Sequence, residues 1–430
     1  MIGIGIIGFG TVGVGAFKIL KENESLIRQR TGLDLKVLKI ADIDLKRKRE
    51  VHVDPTILTD DPMEVIDNDE IDIVVELIGG IEPAYDYICS ALKKGKWVVT
   101  ANKALLAEKG VEVFELAREM SCEIGFEASV CGGIPVIRAI RDGLVGNRIT
   151  YILGILNGTS NYILSKMSEE GVSFEDALRE AKNCGFAERD PSLDVDGVDA
   201  AHKLAILILL AFHYPIPFRD IIVRGIRSIK PIDIRFGQEF GYRIKLLALA
   251  KLIDSQIEAR VEPVMLPNDH PLSSVGGVYN AVFVVGDRTG PNLYYGKGAG
   301  ADPTGSAVVS DIIDMASRMG GGKRVLKIPT LSGEINGIKS GDESVAPFYM
   351  RFIAEDRPGV LSKISGILAD HNISIAAVIQ KGRKEGGSVP IVMLTHEARE
   401  GPLKMAKKEI DGLPFIKGET LYLRIEQGNL

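Results

Sequence analysis

At 430 residues the chain is too long for one hydrophobic core, and its length suggests roughly two to four domains. A hydrophobic share of 45%, a charged share of 26% and a net charge of −6 exclude a nucleic-acid binder that works by neutralising phosphates. Cys89, Cys122, Cys131 and Cys184 are scattered and form no CxxC pair, so neither a disulfide framework nor a zinc site follows, and a reduced, cytoplasmic setting is expected. The opening MIGIGIIGFG lacks a basic n-region and a cleavage site, and the apolar run 204–212 is too short to cross a bilayer.

Ile2–Ile7 reads as a strand that ends in Gly8-Phe9-Gly10-Thr11-Val12-Gly13, followed by a helical pattern through Phe17, Ile19 and Leu20. Strand, tight glycine turn and helix start form the context in which GxGxxG binds a dinucleotide, because glycines admit a pyrophosphate and the helix N-terminus attracts it. Further strand runs at 35–40, 71–77 and Trp97–Thr100, with helical stretches between them, predict a doubly wound parallel sheet. Asp42 ends the second run, where an acid bonds the ribose 2′-OH of NAD. The adjacent Lys46, Arg47, Lys48 and Arg49 offer charges for a 2′-phosphate, so the cofactor is NADP or NAD with a lean to NADP. Lys103 follows VVTAN at the carboxyl edge of the fourth run, the edge where open α/β sheets bind ligands. Glu127 ends a fifth run and enters a Gly-Gly-Ile-Pro loop.

From about Gly146 the pattern changes. Residues 151–156 read as a strand, and Asn157-Gly158-Thr159-Ser160-Asn161 as a turn with helix-capping chemistry. The run AKNCGFAERDPSLDVDGVDAAHK, 181–203, gathers Glu188, Asp190, Asp194, Asp196, Asp199 and Lys203 directly ahead of an apolar helix. Gly185, Pro191 and Gly197 punctuate it as a structured loop. Asp199 and Lys203 stand at i and i+4 on one helix face, a spacing that surface salt bridges also use. The apolar 204–212 run behind them sets Lys203 at the edge of a core. Residues 260–265 and 278–285 read as strands of an open antiparallel sheet, and GKGAGADPTG leads into a helix over 306–319. KSGDESV, 339–345, is a polar linker, and the tail beyond it alternates β-α-β-β-α-β, the ferredoxin-like order.

Without reference to any family, these residues describe a nicotinamide-type cofactor site and a separate domain carrying acids and a lysine. No Ser/His nucleophile arrangement appears, and His202 reads as part of a helix face. Hydride transfer to a carbonyl needs a proton donor, and Lys203, oriented by Asp199, is the best candidate. Glu188 or Asp194 suits the ammonium of an amino-acid substrate.

The 181–203 run, ANKALLA and NGTSNYIL together resemble the homoserine dehydrogenases, and the tail, with DRPGVL and HNISI, resembles an ACT domain. The resemblance spans essentially the whole chain. It implies interconversion of L-homoserine and L-aspartate 4-semialdehyde in threonine, methionine and isoleucine biosynthesis. The fold it implies is a Rossmann-like domain over 1–135, rejoined by 303–322, then an α+β catalytic and dimerisation domain with an open sheet over 136–330, and a ferredoxin-like ACT domain over 346–430. Lys203, Asp199 and Lys103 become catalytic residues; Glu188, Asp194 and Thr159 bind substrate. Gly8, Phe9, Gly10, Thr11, Val12, Gly13, Asp42, Thr100, Lys103, Gly185 and Gly305 meet the cofactor. A sodium ion is implied at Glu127, Val130, Gly132 and Ile134, held largely by backbone carbonyls, as suits a hard cation. Asp356, Arg357, Pro358 and Gly359 become an effector loop, with threonine the expected effector and a homodimer or homotetramer the expected assembly. The family often has tyrosine where Phe186 stands, so any hydroxyl contact there is absent. The tail is expected to regulate and not to catalyse, so that its removal leaves an active core. Two alternatives remain at this stage: another ACT-regulated NAD(P) oxidoreductase of amino-acid metabolism, and a non-catalytic amino-acid sensor.

Overall fold

The structure, a computed structural model, describes residues 1–319, 335–381 and 387–427. The chain forms two compact units. The first comprises Met1–Thr150, Asp199–Ile221 and the described residues from Tyr279 to Met319; the second comprises Tyr151–Val198, Ile222–Val278 and the described residues from 335 onward.

A six-stranded sheet organises the first unit, in the order Leu58–Thr59, Leu35–Ala41, Ile2–Ile7, Ile73–Glu76, Trp97–Thr100, Ile124–Gly125. All its pairings are parallel. Ile4, Ile6, Ile73, Val75 and Val98 are fully buried, which is why the strands read as unbroken apolar runs instead of alternating ones. The order reverses direction between Ile2–Ile7 and Ile73–Glu76, so a ligand crevice opens beyond the ends of these two strands. The Ala301–Met319 helix packs on the Thr11–Glu22 helix through two glycines. A Cβ on Gly15 would lie 2.2 Å from the Ala301 carbonyl oxygen, and one on Gly305 would lie 2.7 Å from the Ala16 nitrogen. This helix starts at Ala301 and takes in the described part of 303–322, with 320–322 outside the described residues. An antiparallel hairpin, Tyr279–Gly286 with Gly290–Lys297, completes this part of the unit.

The second unit is built on a long hairpin, Tyr242–Ile253 with Gln256–Pro267. Its turn residues Asp254 and Ser255 take φ of 49° and 63°, the left-handed pair that matches strand twist in a two-residue turn. Tyr151 to Gly154 pair antiparallel with the first of these strands. Beyond the linker, Phe348–Glu355, Val360–Asp370, Ile375–Gln380, Ser388–Thr395, Glu400–Asp411 and Leu421–Ile425 give the expected β-α-β-β-α-β order around a core that includes Phe348, Phe352, Ile364, Leu368, Met393 and Leu403. Residues 382–386 and 428–430 of the expected 346–430 domain are outside the described set.

The Val198–Phe212 helix falls in the first unit from Asp199 onward, and residues 320–330 are not described. The tail is joined to the second unit's hairpin. Val264 pairs with Arg424 in parallel register, and the linker contributes Val345–Ala346, paired with Ala398–Arg399. Behind this seam Arg260, fully buried, lies 3.0 Å from Glu258, 2.6 Å from Glu262 and 3.0 Å from Glu400. Arg224 spans Glu262 and Glu400, and Arg424 reaches Glu258. Such charges are tolerated in a core only while each keeps its partners.

Candidate active site

The glycines of the first turn have distinct duties. Gly8 holds φ of 98°, and a Cβ there would lie 2.7 Å from the Leu77 carbonyl carbon, so the two strand ends at the crevice meet backbone to backbone. A Cβ on Gly13 would stand 2.3 Å from the Gly8 carbonyl oxygen, which fixes the helix against its strand. A Cβ on Gly10 would meet nothing within 4 Å. That leaves open space at the N-cap of the Thr11–Glu22 helix. Thr11 and Val12 form the first turn of that helix. Asp42 accepts hydrogen bonds from the Phe9 N–H at 2.7 Å and the Asp44 N–H at 2.8 Å, and Arg49 lies 3.3 Å away. Arg49 also donates to the Phe9 carbonyl and covers the Phe9 ring at 5.1 Å. Lys46, Arg47 and Lys48 are exposed.

Farther along the crevice, Thr100 donates its hydroxyl to Glu76 at 2.6 Å and accepts from the Asn102 N–H at 3.0 Å. Asn102 caps the Lys103–Glu119 helix, accepting from the Leu105 N–H at 3.2 Å, and its amide donates to the Gly80 carbonyl. Lys103 is therefore placed by a capped helix start. Its ammonium lies 3.2 Å from Asp199 Oδ1, while Asp199 Oδ2 lies 2.7 Å from the Lys203 ammonium. One buried carboxylate thus holds two lysines from two helices. Lys203 is 9% exposed, at the core edge the apolar run predicted. Burial pushes the nearby Cys131 thiol up to about 11 even though Lys203 acts against it, so Cys131 is a neutral wall and not a nucleophile. His202 packs against Phe218 in a tilted arrangement with ring centroids 4.6 Å apart, and burial lowers its pKa.

Glu76 did not emerge from the sequence. It is fully buried at the crevice, burial raises its pKa, and it fixes both Thr100 and the Ile78 N–H. The available signal was an acid closing the apolar run IVVE.

In the second unit the NGTSN motif and the acidic run lock together. Asn157 caps the Gly158–Glu170 helix through the Ser160 N–H at 2.8 Å and donates its amide to Asp194 at 2.7 Å. Ser160 donates to the Asp194 carbonyl at 2.8 Å, and Thr159 to the Phe186 carbonyl at 2.6 Å. Capping accounts for the first bond; the contacts to the acidic run go beyond it. Gly185 takes φ of 75° in the turn before Phe186, whose ring packs on Tyr162 at 5.0 Å. Glu188 stands exposed and makes no ion pair among the described residues. Lys245, another residue the sequence reading passed over, is 5% exposed and donates to Asn161 at 3.2 Å and to the Val275 carbonyl. Burial draws its pKa down to about 8. Its signal was a lysine interrupting YRIKLLALA.

The loop expected to hold sodium is buried around Glu127. Each of its carboxylate oxygens accepts one N–H, from Ile137 and Arg138, both at 2.8 Å. Burial and the neighbouring Asp311 raise its carboxyl to about 7. Val130 and Gly132 are buried residues, and among the described residues no donor reaches their carbonyl oxygens, while the Ile134 carbonyl accepts from Val136. Backbone carbonyls without donors are oxygen ligands of the kind a hard cation takes, and here they are those of Val130 and Gly132 alone. In the tail, Gly359 takes φ of 87° at the N-cap of the Val360–Asp370 helix, and Arg357 lies over the Phe415 ring at 5.3 Å.

A doubly wound sheet with a glycine turn at its switch point, and a lysine–carboxylate–lysine group in the same unit, define a nicotinamide-nucleotide oxidoreductase. Family models for "Homoserine dehydrogenase, NAD binding domain", "Homoserine dehydrogenase" and "ACT domain" match residues 8–127, 135–313 and 348–415. The homoserine dehydrogenase of Pseudomonas aeruginosa is 42% identical over 434 residues, covering 99% of both chains, and that of Helicobacter pylori is 43% identical over 98% of both. A crystal structure of homoserine dehydrogenase from Thiobacillus denitrificans superposes with a TM-score of 0.92 at 42% identity, over 99% of this chain and 98% of that one. A hyperthermophilic archaeal homoserine dehydrogenase solved in complex with NADPH gives 0.61 at 30% identity, over 73% of this chain and 97% of that one. The chain belongs to the homoserine dehydrogenase family, and it interconverts L-homoserine and L-aspartate 4-semialdehyde. Among the described residues no helix is long and apolar enough to cross a membrane.

Proposed function

We propose that Lys203 is the acid/base of this reaction, with Asp199 as the residue that positions it and Lys103 beside the reacting oxygen. The observation that supports this is the single carboxylate bonded to both ammonium groups. When bound, the nicotinamide supplies or accepts the hydride. In the reducing direction Lys203 gives its proton to the aldehyde oxygen as that oxygen becomes a hydroxyl, and in the oxidising direction it takes the proton back. Lys103 stabilises negative charge on the same oxygen while the proton moves. Thr159, Glu188 and Asp194 are the substrate-binding residues, with Glu188 taking the amino group of homoserine.

The cofactor reading is NADP ahead of NAD. Asp42 is already engaged by two N–H groups and Arg49, which leaves it less able to receive a ribose hydroxyl, and the Arg49 guanidinium beside it supports a 2′-phosphate partner. Gly185 and Gly305 complete the proposed cofactor set, Gly305 by backing the helix that meets the pyrophosphate. Sodium is proposed at Glu127, Val130, Gly132 and Ile134, where it would brace the loop leading to Cys131. Asp356, Arg357, Pro358 and Gly359 are proposed to take the carboxylate of threonine, in a homodimer or homotetramer. An absorbance assay with homoserine and each cofactor tests the first of these readings. A higher kcat/KM with NADP is expected, and Arg49→Ala should lower the NADP value far more than the NAD value. Equal losses with both cofactors would remove Arg49 from the 2′-phosphate.

A further inference from the structure

A cavity of about 400 Å³ lies within the second unit, between the tail's last strand and the segment 224–230. Its walls carry Arg224, Lys230, Arg351 and Lys407 against only two carboxylates, Glu262 and Glu419. Three of these cations have partners: Arg224 has Glu262 and Glu400, Arg351 has Asp233, and Lys407 has Asp411 and Glu419. Lys230 is exposed and makes no ion pair among the described residues. Ser228 and Thr420 add hydroxyls, and Tyr422 closes one side. The effector loop at Asp356–Gly359 is not part of the lining.

One wall of this cavity is tied to the substrate loop. A Cβ on Gly225 would lie 2.4 Å from the Val195 carbonyl oxygen and 2.6 Å from Asp196 Cα, so the segment runs directly against the acidic run. The Ile226 N–H donates to the Val195 carbonyl at 2.9 Å, and Arg227 holds Asp196 at 2.5 Å. On the other side of this contact, Asp194 is held by Asn157 and Ser160 of the NGTSN motif. The opposite end of the segment is anchored by the Arg224 N–H to the Val261 carbonyl at 2.8 Å. A ligand drawing on Arg224 and Lys230 would therefore act on both ends of a short strap whose centre is bonded to Val195.

We propose that this cavity is a binding site for a small anion bearing a carboxylate or a phosphate, and that its occupancy changes homoserine binding through Ile226 and Val195 to Asp194. The transmission rests on the reading of Asp194 as a substrate residue; the binding does not. Three of the four cations are already neutralised by carboxylates, so the charge that favours an anion is that of Lys230, with the Ser228 and Thr420 hydroxyls beside it as hydrogen-bond donors.

Hydrogen exchange on the full chain, with inorganic phosphate and with malonate as separate probes, tests binding without any assay of activity. Peptides covering 192–197 and 224–230 should exchange several-fold more slowly with at least one probe, and Lys230→Gln should abolish the effect. The probe that works identifies the ligand as phosphate or carboxylate. In parallel, the homoserine KM should shift by about five-fold or more with that probe in the unsubstituted chain, while the cofactor KM stays constant. Lys230→Gln should show no such shift and unchanged basal turnover. Unaltered exchange with both probes, or slowing that persists in Lys230→Gln, would overturn the site. Slowed exchange with a constant homoserine KM would overturn the transmission. A chain with no homoserine turnover under any condition would overturn the catalytic reading instead, leaving the exchange result to stand alone.

Discussion

Asp199 is bonded to two lysines that reach it from different helices, and removing its charge should affect chemistry more than fold. Asp199→Asn keeps the shape but sets a neutral amide between two ammonium groups. The expected result is a fall in kcat of about 100-fold or more, with cofactor affinity near that of the unsubstituted chain. Steady-state kinetics beside a cofactor titration checks it; a variant with weak cofactor binding and normal kcat would assign Asp199 elsewhere. The glycine turn gives a paired prediction. Gly10→Val directs its side chain into open space, so melting temperature should hold while cofactor binding is lost. Gly13→Ala drives a methyl group toward the Gly8 carbonyl, so melting temperature should fall. Calorimetry and cofactor titration on both variants separate the two roles.

Helix contact explains another glycine whose reason lies in packing. Gly305 sits where the Ala301–Met319 helix crosses the Thr11–Glu22 helix, and a methyl group there meets backbone, which cannot rotate away. Gly305→Ala should cost about 1–3 kcal/mol, read as a lower thermal midpoint; an unchanged midpoint would show that the helices part easily. Features set by neighbours in the chain could be read from the sequence. The Gly8–Gly13 turn, the Asp199/Lys203 spacing, the Asn157 cap and the tail's strand and helix order all fall in this class. Features made by folding could not. Nothing in the spacing of Lys103 and Lys203 announces that they share the Asp199 carboxylate, nor that Asn157 holds Asp194. Glu76, Lys245 and Arg260 were missed because a lone charge in an apolar run reveals neither its partners nor its burial. The motif that resembles the homoserine dehydrogenases named Glu188, yet its exposed position would not have singled it out.

Across the second unit, buried charge binds the tail to the hairpin. Truncation before 346 would take away Glu400 and leave Arg260 and Arg224 without it, at a cost of roughly 3–5 kcal/mol for a buried charge that loses its partner. The truncated chain is therefore expected to fold poorly instead of yielding an unregulated core, and circular dichroism melting will show which holds. Glu400 also sets an acid limit. Burial pushes its carboxyl up, but Arg260 and Arg224 more than reverse this and hold it at about 2, below its ordinary 4.5. A depressed carboxyl gives stability that is present above pH 4.5 and lost as pH falls toward 2. The effect is on the order of 3 kcal/mol. Glu400→Gln should be less stable at neutral pH and should lose less on acidification across that window. Parallel stability curves for the two proteins would contradict the assignment.

The most direct test of the account is homoserine oxidation by Lys203→Ala, followed by nicotinamide absorbance in single-turnover and steady-state modes. Turnover should fall by about 100- to 10,000-fold, the range attributed to a positioned proton donor, with cofactor affinity and melting temperature close to those of the unsubstituted chain. A folded, cofactor-binding Lys203→Ala that retains most of its turnover would contradict the assignment of Lys203 as the acid/base.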